Sequence, residues 1–164
     1  MLEMLLGLLV ASAVSGVVPL VNAELLVVGA AAALPAVGVP LVAAVSTIGQ
    51  MASKTSLFAL ARWAPAHLPA KARRTVSSMR DRVERREGTV GSLVLASAAT
   101  GFPPFYGVSL ATGALGMRLS SFVLTGSIGR FLRFGVLAWL GRSVASGTLD
   151  SLASLLWTTP VSGG

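Results

Sequence analysis

Four ionisable side chains stand inside otherwise apolar stretches of the chain: Glu24, Lys54, Arg130 and Arg133. A charge at the centre of a bilayer costs roughly 2.5 to 3.5 kcal/mol on insertion scales, so each of the four requires a partner or a water-filled path. Arg130 and Arg133 are three positions apart, which puts them on one face of a helix. Two guanidiniums so placed can grip a phosphate or carboxylate, and the N-terminus of a broken helix nearby would add to the pull. Glu24 is the only acid in these stretches. It is either a protonatable partner for a bound anion or one half of a structural ion pair with Lys54 or an arginine. Asn22, Thr100 and Tyr106 lie beside proline-interrupted segments and complete the expected polar lining of a substrate site. The plainer alternative is that Arg130, Arg133 and Lys54 snorkel to an interface, as Arg118 and Arg142 at helix ends are expected to do.

Enzymatic chemistry fails on inventory. His67, in PAHLP, is the only histidine and there is no cysteine, so a zinc site has too few ligands. The stretch around Ser109, GVSLA, misses the last glycine of a nucleophile elbow, and the apolar blocks hold no histidine to act as base. Phosphate-cradling glycine motifs are absent as well. The chain reads as a non-enzyme with no cofactor and no metal.

The elements that must position these groups are membrane elements. Hydrophobic residues make up 54% of the chain and charged residues 12%, about half the soluble average. Charge-free blocks run from Met4 to Ala23, Leu25 to Ser53 and Gly88 to Met117, each meeting or exceeding the roughly 20 residues that span a bilayer. This predicts an all-α integral membrane protein, with residues 1–164 forming a single domain. The opening MLEMLL carries a glutamate and no Lys or Arg, so a retained membrane helix is expected there rather than a cleaved signal. The net charge of +7 is concentrated: eight Lys or Arg lie from Arg62 to Gly88 against three acids. A basic connector between membrane segments points to the cytoplasm and to anionic lipid head groups. Without aromatic residues interleaved to stack bases, it does not point to nucleic acid. The 65–88 loop is therefore expected on the cytoplasmic side of a bacterial inner membrane. Its segment KARRTVSSMRDRVERREG suits an amphipathic surface helix, with Val76, Met79 and Val83 on one face.

Two prolines sit side by side at Pro103 and Pro104, within thirty charge-free residues, where they forbid one continuous helix. Non-helical backbone persists at membrane depth only where it is buried in protein or lines a wet cavity, which predicts a re-entrant hairpin turning at Phe102 to Phe105. A kinked spanning helix is the alternative. Pro19 interrupts the first apolar region in a comparable way. Aligning Pro19 with Pro103 sets Gly29-Ala30 opposite Gly113-Ala114, and STIGQ (46–50) resembles GSIGR (126–130). Such weak internal similarity around broken segments is the sign of an inverted repeat. The predicted layout is a helix over 2–16, a hairpin near 18–37, a spanning helix near 38–63, the basic loop, a second hairpin near 89–116, and helices near 118–141 and 145–160. The two hairpins enter from opposite sides and meet near the midplane. No two glycines are four apart, but small residues abundant enough to pack helices leave a homo-oligomer open.

PLVNAELL, with Pro19 and Glu24, and GFPPFYGVSLATGALGM resemble the broken segments of the DedA family, the membrane proteins with the VTT or SNARE-associated domain. The resemblance covers roughly residues 15 to 142. It implies opposed re-entrant hairpins and the movement of lipids, polyprenyl phosphate carriers and phospholipids among them. Glu24 fits the family's acidic position and Pro103 its proline, so Pro103 joins the substrate site on that ground. Thr100 and Tyr106 stand where the family has arginines, and Gln50 where it has an aspartate. The resulting expectation is a translocator of a lipid or other anionic amphiphile, with proton coupling through Glu24. The alternative is a non-transporting membrane scaffold or assembly factor.

Overall fold

The computed structural model describes residues 2–17, 22–34, 38–67, 69–70, 73–74, 77, 90–147 and 151. Pro19, most of the 65–88 loop with its expected surface helix, and nearly all of the expected helix over 145–160 lie outside the described residues. The fold is all-α. Helices α1 (Leu2–Val17), α2 (Ala23–Ala33) and α3 (Val39–Trp63) precede a short 3-10 turn at Pro65–His67; α4 (Val90–Thr100), α5 (Phe105–Ala114) and α6 (Leu119–Ala145) follow the basic loop.

Local chemistry sets the boundaries. The Asn22 side chain caps α2, accepting from the Glu24 amide at 2.9 Å, and Glu24 in the first turn faces the positive end of the helix. Helix α4 stops at Gly101, whose φ of +82° suits glycine, and α5 starts after Pro103 and Pro104, whose ring nitrogens cannot continue the ladder. The Phe102–Pro103 peptide is cis. Between the two helices, Ser97 Oγ donates to the Pro103 carbonyl at 2.5 Å and Thr100 Oγ1 accepts from the Phe102 amide at 3.2 Å. The broken backbone is thus satisfied by hydroxyls of the preceding helix.

Packing depends on missing side chains. Helix α1 runs alongside α3 in the same direction, and a Cβ on Gly49 would meet Leu9 O at 2.5 Å and Ser12 Cβ at 3.0 Å. Helix α4 runs alongside α6 in the same way, with a Cβ on Gly129 meeting Ala98 Cβ at 2.6 Å and Leu95 O at 2.8 Å. Helices α3 and α6 cross antiparallel: Phe58 stacks on Phe122 at 4.6 Å, and Met51 packs on Gly126. The short helices exchange partners. Helix α5 lies on α3, with Gly113 against the Phe58 carbonyl, and α2 lies on α6, with Gly141 against the Val28 carbonyl. Leu8, Ala31 and Val42 share one apolar core with Phe134 and Ala138; Val94, Val108 and Phe122 share the other with Met51 and Phe58.

These contacts correct the predicted layout in the first half. Residues 23–33 are one continuous helix, not a hairpin within 18–37. The segment that folds back on α2 is α1, as α4 folds back on α5. The Gly29-Ala30 equivalence also fails: Gly113 lies against Phe58, whereas a Cβ on Gly29 would meet nothing within 4 Å. The Ile-Gly correspondence of STIGQ and GSIGR survives in the contacts of Gly49 and Gly129. Among the described residues, one helix, Leu119–Ala145, is long and apolar enough to cross a membrane; Leu2–Val17, Ala23–Ala33 and Val90–Thr100 are apolar but shorter. At 1.5 Å per residue, α4 covers about 16 Å, roughly half a hydrocarbon core.

Candidate functional site

Polar residues are buried where the long helices cross. Several return their hydroxyls to their own helix, Thr47 to Ala43 O, Ser109 to Phe105 O and Thr112 to Val108 O, each at 2.7 Å. Such side chains need nothing further. Glu24, Gln50, Lys54, Arg130 and Arg133 are different, because each reaches out of its helix.

Arg133 projects from α6 between α2 and α4. Its Nε donates to Glu24 Oε1 at 3.1 Å, its Nη2 pairs with the same oxygen, and its Nη1 donates to Ala99 O at 3.2 Å. The guanidinium lies directly over Gly101, where a Cβ would approach it to 3.2 Å. One side chain therefore neutralises Glu24, satisfies a carbonyl at the negative end of α4 and holds the break that follows it. Lys54 has the matching task in the first half. Its Nζ donates to Gly16 O, at the end of α1, at 2.6 Å, and stands 5.5 Å from the centre of the Tyr106 ring.

Arg130 makes no such bond. It is 8% exposed, its guanidinium sits 4.8 Å from the Phe105 ring centre and 5.8 Å from that of Phe134, and its Nε has no hydrogen-bond partner among the described residues. Cation–π contact offsets part of the lost hydration but supplies no counter-charge. Gln50 donates to Ser15 Oγ at 2.9 Å, and its buried Oε1 has no partner among the described residues. The cluster holds three cations and one carboxylate. Glu3, the other acid among the described residues, is exposed at the start of α1. Burying unpaired charge is expensive, so this imbalance costs the fold stability when it is taken alone.

The residues expected to line a site divide accordingly. Asn22, Thr100 and Pro103 shape helix ends and the break. Arg130 is buried in the core, whereas Glu24 and Arg133 are half-buried and Tyr106 is exposed at its edge. Arg130 and Arg133 do not form a joint clamp: three positions leave them about 60° apart around α6, enough to turn one toward α2 and α4 and the other toward α5. Lys54, for which snorkelling to an interface was the alternative, is 6% exposed and belongs to the cluster. Gln50 and the two phenylalanine rings around Arg130 were not anticipated as site residues. The signal for Gln50 was its match to Arg130 in STIGQ and GSIGR.

Two clefts open on the helices that carry the cluster, one of them onto Arg133. One of about 350 Å³ is lined by Ala99, Leu132, Val136 and Leu137 with Arg133 in its wall. The other, about 400 Å³, follows the crossing of α3 and α6 past Thr47, Ile48, Ile128 and Phe131. An apolar slot with a cation in its wall has the chemistry of an amphiphile site. No protein-family model, curated protein or solved structure matches the chain.

Proposed function

We propose that the chain is a DedA-like integral membrane protein of inverted-repeat architecture, which translocates a lipid or similar anionic amphiphile across the bilayer. The observation that carries this reading is the buried positive charge of Lys54 and Arg130, neither of which forms an ion pair with a carboxylate among the described residues. An anionic head group would supply what the fold lacks.

The inside-out distribution of polarity supports the membrane setting. Leu6, Val10 and Val14 on α1 and Leu124, Ile128, Leu132 and Val136 on α6 form exposed apolar stripes, while Ser12, Ser46, Gln50, Ser97 and Ser109 are buried. Exposed apolar surface of that extent supports a lipid-facing reading. Arg62 and Arg142 stand about 18 Å along their helices from Gln50 and Arg130, at 1.5 Å per residue, just beyond half of a roughly 30 Å hydrocarbon core. The repeat reading rests on α1 and α4 lying parallel to α3 and α6, while α3 and α6 cross antiparallel. In a bilayer, two half-length hairpins would then enter from opposite faces, with the 65–88 loop on the cytoplasmic side of a bacterial inner membrane.

Glu24 is the natural point of proton coupling. Protonation of its carboxyl removes the charge that holds Arg133, and the freed guanidinium faces the cleft along Leu132 and Val136. A scaffold or assembly role is the second reading, favoured by the internal satisfaction of Arg133. Purified protein in liposomes, assayed for redistribution of lipids with fluorescent anionic head groups, separates the two. Wild-type protein is expected to redistribute them, Arg130→Gln to slow the rate roughly tenfold to a hundredfold, as loss of a charge-assisted bond would, and Glu24→Gln to flatten its pH dependence. No redistribution at any pH, or normal rates in Arg130→Gln, makes the scaffold the better reading.

A further inference from the structure

Contacts repeat between the two halves residue by residue. Gly49 rests on Leu9, Ser12 and Ala13 as Gly129 rests on Leu95, Ala98 and Ala99. Ser53 Oγ donates to the Ala13 carbonyl as Arg133 Nη1 donates to the Ala99 carbonyl. Val28 packs on Gly141 as Leu110 joins Ala61. Extending these pairs along the helices makes Gln50 the counterpart of Arg130 and Glu24 the counterpart of Tyr106. The two halves differ in charge at several of these pairs, Gln50 against Arg130 and Ser53 against Arg133, and most tellingly at the second residue of the short helix. In one, the second residue of the short helix is a carboxylate that neutralises the neighbouring arginine. In the other, the same place holds a neutral tyrosine beside Lys54, with Arg130 close by against the ring of Phe105.

We infer that Lys54, Arg130 and Tyr106 frame an anion site, in which a bound phosphate monoester stands in for the carboxylate that Glu24 provides in the other half. Both cations are more than nine-tenths buried, and Arg130 Nε has no partner among the described residues. The cluster's two uncompensated positive charges match a dianionic phosphate monoester better than a singly charged diester. The site deepens the translocation reading by naming the head group, but it binds whether or not the ligand is then moved.

The test is thermal unfolding of the purified full chain in detergent at constant ionic strength, with inorganic phosphate, phosphatidic acid or phosphatidylglycerol added. Phosphatidic acid at a hundredfold excess over its Kd is expected to raise the unfolding temperature by roughly 5 °C, and phosphatidylglycerol by clearly less. A shift with inorganic phosphate equal to that with phosphatidic acid assigns the site to free phosphate; a shift with phosphatidic acid alone assigns it to lipid. Tyr106→Glu supplies the missing charge from within, so it is expected to unfold at a higher temperature without ligand and to lose the shift. Tyr106→Gln, of the same size but neutral, keeps the shift, and Lys54→Met loses it. The inference is overturned if neither phosphate compound stabilises the wild type, or if Tyr106→Glu or Lys54→Met responds as fully as the wild type. Redistribution in liposomes is read separately: stabilisation without movement retains the site and removes the transport reading.

Discussion

Glycine shapes the bundle as much as charge does. Gly49 and Gly129 sit where parallel helices touch backbone to backbone, and a methyl group at either would lie within 2.6 Å of a neighbouring atom. In a bilayer, where burying apolar surface no longer drives association, such close approach is the main source of helix packing. Gly29 and Gly135, by contrast, face open space. Gly49→Ala and Gly129→Ala are therefore expected to destabilise the fold by about 1–3 kcal/mol through overpacking. Gly29→Ala and Gly135→Ala are expected to be neutral or to stabilise by up to about 1 kcal/mol, since alanine is the better helix former. Thermal unfolding of the four variants in one detergent checks the contrast, and equal behaviour of the two pairs would remove the proposed contacts. The sequence could show that these glycines existed. It could not show which were close to another backbone, because composition is uniform along alanine- and glycine-rich helices while contact is not.

At the level of elements, what the sequence made legible follows from how local each rule is. The break at Pro103 and Pro104 was readable because a missing amide and a ring clash act within four residues. Helix α3, predicted near 38–63, is observed at Val39–Trp63. The first hairpin was misassigned because Pro19 marks a break without saying which flank folds back. That choice is tertiary, made by the small-residue face of α1, Ser12 and Gly16, fitting against Gly49 and Ser53. The parallel run of α4 beside α6 gives a direct test of the second hairpin. A Cβ on Gly91 would lie 3.9 Å from Thr125 Cγ2, so side chains at the two positions face each other, and the chain has no cysteine of its own. Gly91→Cys combined with Thr125→Cys is expected to cross-link on mild oxidation, read as a mobility shift lost on reduction. A pair with Thr125→Cys moved one turn on, at Gly129, should not form. Cross-linking of that second pair alone would mean a different register between the helices.

For the molecule as a whole, the antiparallel crossing of α3 and α6 decides which ends lie together. Arg62 Nη1 donates to Met117 O at 2.8 Å, tying the end of α3 to the start of α6, and Trp63 is exposed beside it. Tryptophan and arginine at such a level are the residues that settle at a membrane–water interface. The chain leaves this end into the basic loop, where eight of its thirteen cations lie from Arg62 to Gly88. The end of α6, near Ser146, is at the opposite extreme of the bundle, because α6 runs the other way. If the apolar stripes face lipid, Ser77 and Ser146 are on opposite sides of the membrane, and the positive-inside rule puts Ser77 in the cytoplasm. Single cysteines at the two positions, probed in intact cells with an impermeant thiol reagent, should give labelling of Ser146→Cys and protection of Ser77→Cys until the cells are permeabilised. The reverse pattern would keep the architecture and invert it in the membrane. Equal labelling of both would place the two ends on one side, which an antiparallel pair of spanning helices does not allow, and the membrane reading of α3 and α6 would then fail.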